Sequence, residues 1–198
     1  MQQRRRTSVL MRIVGGEFGG TALAAPKGRT TRPTGERTRE ALFSILAAQS
    51  HISLAHARVL DLFAGTGALG LEALSRGADF CLFVENDARV RGTLRENCET
   101  CGVLGRTKIY RRDATRLGTR VVSAGPEFNL VFADPPYGKQ LAEAGLRALA
   151  AGNWLARQTL VVVEEDRRAG FQAPSGFTET QRRSYGDTEL VFLNFSAE

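Results

Sequence analysis

Asp61-Leu62-Phe63-Ala64-Gly65-Thr66-Gly67-Ala68-Leu69-Gly70 decides how this chain of 198 residues is read. A short apolar run, Val59–Phe63, ends in glycines, and Ala68–Ser75 continues as a helical pattern. The decapeptide therefore spans a strand-to-helix turn. Glycines there let the backbone approach a ligand closely, and the helix start offers N–H groups. Gly65, Gly67 and Gly70 also meet the G-x-G-x-x-G spacing of dinucleotide sites, which a purely structural turn can match by chance. Asp61 separates the readings. Four residues before Gly65 and inside the strand, a carboxylate is unfavourable beside a pyrophosphate and favourable beside a cation with an α-amino group.

Outward from that turn, the chain alternates strand and helix. Phe80–Val84, Lys108–Tyr110, Asn129–Ala133 and Thr159–Val163 are short apolar runs. Helical segments lie between them, near 68–75, 87–101, 114–122 and 141–150. This alternation predicts βα units and a mainly parallel sheet covered on both faces. The end differs: Phe177–Ser184 and Glu189–Phe195, joined by Tyr185-Gly186-Asp187-Thr188, read as a closing antiparallel hairpin. Residues 12–24 are glycine-rich with short β-type runs and predict a hairpin before the main domain. Thr34 is placed to cap a helix over about 35–48, with Ala41, Leu42, Ile45 and Leu46 on one face.

Three further carboxylates follow the strands. Glu85, 24 residues after Asp61, stands where an acid accepts both ribose hydroxyls of an adenosine. Asp113 suits an adenine amino group and a helix N-cap equally well. Asp134-Pro135-Pro136-Tyr137 follows the fourth run, at the carboxyl edge where open α/β sheets bind ligands. Its prolines stiffen the turn and remove backbone donors, leaving carbonyls and a carboxylate beside an aromatic ring. That group suits a planar exocyclic amine: the Asp134 side chain and the Pro135 carbonyl accept its two N–H bonds, and Tyr137 stacks on its ring. A Ser-His or Cys-His pair is not in evidence, since His51 and His56 lie outside every motif.

Charge is unevenly spread. The chain has 27 Lys+Arg and 21 Asp+Glu, a net +6. Residues 1–40 hold nine cations (Arg4, Arg5, Arg6, Arg12, Lys27, Arg29, Arg32, Arg37, Arg39) against Glu17, Glu36 and Glu40, so the whole excess lies there. A polyanion contact follows, with nucleic acid ahead of membrane. Apolar runs such as Leu160–Val163 fall far short of the ~18 residues of a span. Arg12 interrupts the apolar stretch near the start, so no signal peptide is read. Cys81, Cys98 and Cys101 fit reduced thiols in the cytoplasm, and no metal site is expected.

D-x-x-x-G-x-G is the pattern with which S-adenosylmethionine (AdoMet) methyltransferases hold the amino-acid end of their cofactor. Together with Arg12-Ile13-Val14-Gly15-Gly16, Arg32-Pro33-Thr34, Arg37, Arg39-Glu40, Leu42-Phe43, the run 61–78 and Asp134–Tyr137, the sequence resembles the RsmD family over residues 11–195. The resemblance implies an α/β, Rossmann-like class I methyltransferase fold with a mostly parallel seven-stranded sheet and a C-terminal antiparallel hairpin. It divides the chain into a basic tail (1–10), an RNA-contacting β-hairpin extension (11–34) and the methyltransferase domain (35–198). It implies methylation of guanine N2 at one nucleotide of 16S rRNA, in the small ribosomal subunit or an assembly intermediate. Asp61, Phe63, Gly65, Thr66, Gly67, Gly70, Glu85, Asn86, Asp113 and Ala114 would bind AdoMet. Asp134, Pro135, Pro136 and Tyr137 would hold the guanine, and Arg12, Arg29, Arg32, Arg37 and Arg39 the RNA. A cytoplasmic monomer is the expectation.

Other classes fit less of the sequence. An NAD-dependent oxidoreductase leaves Asp61 and Asp134–Tyr137 unexplained. A DNA amino-methyltransferase lacks room for a recognition domain, and a protein-glutamine methyltransferase more typically carries Asn in place of Asp134. A non-catalytic RNA-binding protein has no use for intact Asp61 and Asp134.

Overall fold

Alternation of side chains along the strands builds the sheet. The computed structural model describes residues 11–25, 35–49 and 53–196. In β3 (Arg58–Asp61), Val59 packs on one face and Leu60 on the other. The same period of two runs through β4 (Phe80–Val84) and β6 (Phe128–Ala133). It continues through β7 (Leu155–Asp166) and β9 (Thr188–Phe195). These strands are apolar on both faces because both faces are covered. With β5 (Thr107–Tyr110) and β8 (Phe177–Tyr185), seven strands lie in the order β5-β4-β3-β6-β7-β9-β8. The first five are parallel, while β9 runs antiparallel to β7 and β8 antiparallel to β9.

One face carries α1 (Glu36–Ala48), α2 (Ala68–Ser75) and α3 (Ala88–Thr100), and the other carries α4 (Leu141–Ala151). A small antiparallel pair, β1 (Met11–Arg12) and β2 (Ala22–Leu23), packs Met11, Ile13 and Leu23 into the same apolar cluster as α1–α3. The chain runs outward from β3 to β5 and then crosses back to β6. The order therefore reverses between β3 and β6, where doubly wound sheets open a crevice.

Three local expectations change. Residues 114–122 form no α-helix: two 3-10 turns, Ala114–Arg116 and Val122–Ala124, take its place. Gly118 at φ +67° breaks the run, and Thr119, Val121 and Val122 are β-branched. The cap of α1 is Gly35, with no side-chain bond, while Thr34 lies outside the described residues. The fifth apolar run is longer than it reads, because β7 extends on both sides to twelve residues.

Candidate functional site

The crevice is bordered by the loop after β3 and the loop after β6. Asp61 pairs in register with Phe132, two residues before Asp134, so the two loops leave the sheet side by side. Every strand that ends there contributes a carboxylate: Asp61, Glu85, Asp113, Asp134, Glu164 and Glu165. Such a rim disfavours a phosphate-bearing ligand and favours a cation or a donor-rich amine.

The glycine loop is shaped by backbone needs. Gly65 (φ +54°) and Gly67 (φ +84°) are left-handed. A Cβ on Gly67 would lie 2.3 Å from Leu94 Cδ1, and one on Gly70 would lie 2.3 Å from the Phe83 ring. These two glycines are needed for packing. Gly65 differs: a Cβ there would meet no heavy atom closer than the Phe63 carbonyl oxygen, at 4.0 Å. Its backbone faces open space that a ligand can enter. The donor set and this opening fit the amino-acid and ribose parts of AdoMet.

Carboxylates hold the loop in place. The Gly70 N–H, in the first turn of α2, donates to Asp61 Oδ2 (3.0 Å), so Asp61 caps a helix whose own N-cap is a glycine. Asp61 is 1% exposed. Burial pushes its carboxyl up from 3.8 to about 7, the Gly70 bond opposing and the Glu85 charge adding. Glu85, half-buried, accepts the Gly65 N–H (3.0 Å) through Oε2 and the Asp87 N–H (2.8 Å) through Oε1. Asn86 is exposed, and its carbonyl accepts from Arg91. Asp113 accepts both the N–H and the hydroxyl of Thr115 through Oδ1 (2.8 and 2.7 Å), which lowers its pKa. It is an exposed cap, next in sequence to buried Ala114. Phe63 and Thr66 are half-buried, Phe63 against α4.

The Asp134–Tyr137 loop is braced from β7. Asp134 and Tyr137 are half-buried, Pro135 is buried and Pro136 exposed. The Tyr137 hydroxyl donates to Glu164 Oε1 (2.9 Å), and the Gly138 N–H to Glu165 Oε1 (3.1 Å). Burial, then the Glu164 charge, push the Tyr137 hydroxyl up, and burial raises the Glu165 carboxyl. The half-buried ring is therefore pinned by its hydroxyl. Sequence reasoning missed Glu164 and Glu165. Two acids directly after Leu160–Val163, at the carboxyl end of a buried strand, were the available signal.

The basic segment divides. Arg12 is surface-exposed and pairs with Glu36 (3.1 Å), and Arg37 is exposed. Arg39 is not a surface cation: it is 1% exposed, and its Nη2 donates to the Arg12 carbonyl (2.8 Å). Burial lowers its pKa against the opposing charges of Glu72, Glu36 and Glu164. An RNA-contact role for Arg39 is therefore withdrawn, since it knits α1 to the N-terminal arm. Arg29 and Arg32 lie outside the described residues, as do Arg4–Arg6, Lys27 and His51. His56 pairs with Asp79 on the surface (3.1 Å) and takes no part in the site. Glu72, a lone acid in the apolar helix α2, was also missed; it accepts the Val14 and Gly15 N–H groups (2.6 and 2.9 Å) and anchors the arm.

Known proteins share this pattern. The family model described as "Conserved hypothetical protein 95" matches residues 11–194. "Putative rRNA methyltransferase YlbH" of Bacillus subtilis is 34% identical, covering 91% of this chain and 97% of that protein. "Ribosomal RNA small subunit methyltransferase D" of Escherichia coli K12 is 37% identical, covering 81% and 77%. The solved structure of "Putative methyltransferase yhhF from Escherichia coli" superposes with a TM-score of 0.80 at 31% identity, covering 96% of this chain and 99% of that one.

Proposed function

This chain belongs to the conserved hypothetical protein 95 family, the RsmD family of methyltransferases, and on that premise we propose that it methylates guanine N2 at one nucleotide of small-subunit (16S) rRNA, with AdoMet as donor. The observation that carries the reading is the pairing of the two loops across the β3/β6 reversal. One loop is shaped by glycines and carboxylates, and the other offers acceptors to an amine.

AdoMet, when bound, supplies a methyl group already activated by its sulfonium. The residues' task is then placement and charge. Gly65 would let the backbone close on the ligand, and Glu85 and Asp113 would hold its ribose and adenine. Asp61 holds the start of α2 and places negative charge beneath a cation. At the other loop, the Asp134 carboxylate and Pro135 carbonyl accept the two N2–H bonds, drawing the nitrogen lone pair toward the methyl group. As the N–C bond formed, the methyl–sulfur bond would break with its electron pair left on sulfur, and the amine would acquire positive charge, which Asp134 would stabilise and from which it could take the proton. Tyr137, fixed through Glu164, stacks on the base. The guanine has to leave any stack to reach this edge, at a cost of a few kcal/mol.

In this reading Arg12 on the N-terminal arm, the basic sequence 26–34 and Arg37 at the start of α1 contact the RNA, in a cytoplasmic, monomeric enzyme acting on the small subunit or its precursor. Incubation with labelled AdoMet and, in parallel, unmethylated small subunits, genomic DNA and total protein tests it. Label is expected in 16S rRNA. Label in DNA or protein in its place contradicts the substrate class.

A further inference from the structure

α3 carries a buried asparagine that touches both the N-terminal arm and the glycine loop. Asn97 is 1% exposed. Its Oδ1 accepts the Ala24 N–H (2.7 Å), and its Nδ2 donates to the Ala24 carbonyl (3.2 Å) and to the Thr66 carbonyl (2.9 Å). The first two bonds grip the arm where the sequence runs on toward Lys27, Arg29 and Arg32. The third holds the residue between the two left-handed glycines, Gly65 and Gly67. Leu94, one turn earlier on α3, packs where a Cβ of Gly67 would stand. Glu72 and Ser75 also fasten the arm, to α2, through side-chain bonds to Val14, Gly15 and Phe18, and Glu72 pairs with Arg76. At Asn97 one rigid amide serves both segments.

We propose that Asn97 is a positioning residue that couples occupancy of the N-terminal arm by RNA to occupancy of the glycine loop by AdoMet. The proposal rests on the RNA reading of the arm. Moving Ala24 or Thr66 away from the amide leaves a buried donor or acceptor without its bond, so the two segments hold position together or release together. A ligand that orders one segment lowers the cost of ordering the other, and the effect is reciprocal. The coupling gives the enzyme a preference for forming its ternary complex with both substrates seated.

Binding of unmethylated small subunits is to be measured with and without S-adenosylhomocysteine, a non-reacting stand-in for AdoMet. The unsubstituted protein is expected to bind them at least about 5-fold more tightly with that ligand. In Asn97→Ala that ratio is expected to fall to about 1, with each separate affinity changing less than the ratio. Should Asn97→Ala fail to fold, hydrogen exchange on the unsubstituted protein decides the question. S-adenosylhomocysteine alone is expected to slow exchange at the Ala24 amide, which lies on the arm, by at least about 5-fold. A ratio of 1 in the unsubstituted protein, a ratio kept in Asn97→Ala, or unchanged Ala24 exchange overturns the proposal. Loss of all small-subunit binding overturns the RNA reading of the arm as well, and so is distinguishable from those failures.

Discussion

The two loops of the crevice reach rigidity by opposite means. The loop after β3 takes its shape from glycines at positive φ and turns N–H groups inward, onto Asp61 and Glu85. The loop after β6 takes its shape from two prolines, and is held from behind by Glu164 and Glu165 at Tyr137 and Gly138. In the first, the carboxylates of Asp61 and Glu85 accept the N–H groups of the loop itself. In the second, the bracing acids at Tyr137 and Gly138 stand on the next strand. Each loop is thus fixed by groups the other does not use, so damage to one should spare the other.

Asp134→Ala is the severest test of that separation. Transfer should fall by at least about 10²–10³-fold, the usual loss when a preorganised transition-state partner is removed. AdoMet affinity, read by calorimetry, should stay within about 2-fold. A parallel loss of affinity would show that the loops are not independent.

Asp61→Asn probes the opposite side and has a pH signature. Its raised pKa means that folding favours the protonated acid. Ionised Asp61 therefore costs stability: nothing below about pH 4, increasingly between pH 4 and 7, and fully above pH 7. The amide keeps an acceptor for Gly70 without the charge. It should raise the melting midpoint at pH 8 by roughly 3–10 °C and leave it unchanged near pH 4. AdoMet affinity should drop about 10-fold at pH 8 if the charge serves the cation. A variant no more stable at pH 8 than at pH 4, relative to the parent, would contradict the buried charge.

Tyr137→Phe keeps the ring and removes its bond to Glu164. Turnover should fall about 10-fold, with AdoMet affinity unchanged, since a lost buried hydrogen bond costs about 1–3 kcal/mol. The smallest effect should come from the surface cations. Arg37→Glu should weaken small-subunit binding a few-fold and reduce the slope of log affinity against log salt by about 1–2. Arg39→Ala should lower the melting midpoint and leave that slope alone. A changed slope would return Arg39 to the RNA surface.

How far the sequence reached follows from the same contrast. Asp61, Gly65, Gly67 and Gly70 lie within ten residues, and local strand-to-helix chemistry makes them readable together. Asp134–Tyr137 was equally legible because prolines constrain their own neighbourhood. Glu164, Glu165 and Asn97 were not, because they act on loops 27 to 31 residues away in the chain, across strand pairings that periodicity does not specify. Arg39 misled for a related reason. One cation among nine reads as surface charge, whereas its position on the inner side of α1, beside Leu42, Phe43 and Leu46, buries it. The absent helix at 114–122 follows from Gly118 at positive φ and the β-branched residues after it, which outweigh the helical pattern.

The proposed function assigns guanine N2 as the amine that Asp134 accepts from. Digestion of 16S rRNA methylated in vitro by the unsubstituted protein, followed by mass spectrometry of the nucleosides, tests that assignment directly. A single site of N2-methylguanosine is expected. N6-methyladenosine, a ring-nitrogen methylguanosine or a ribose methyl would contradict it.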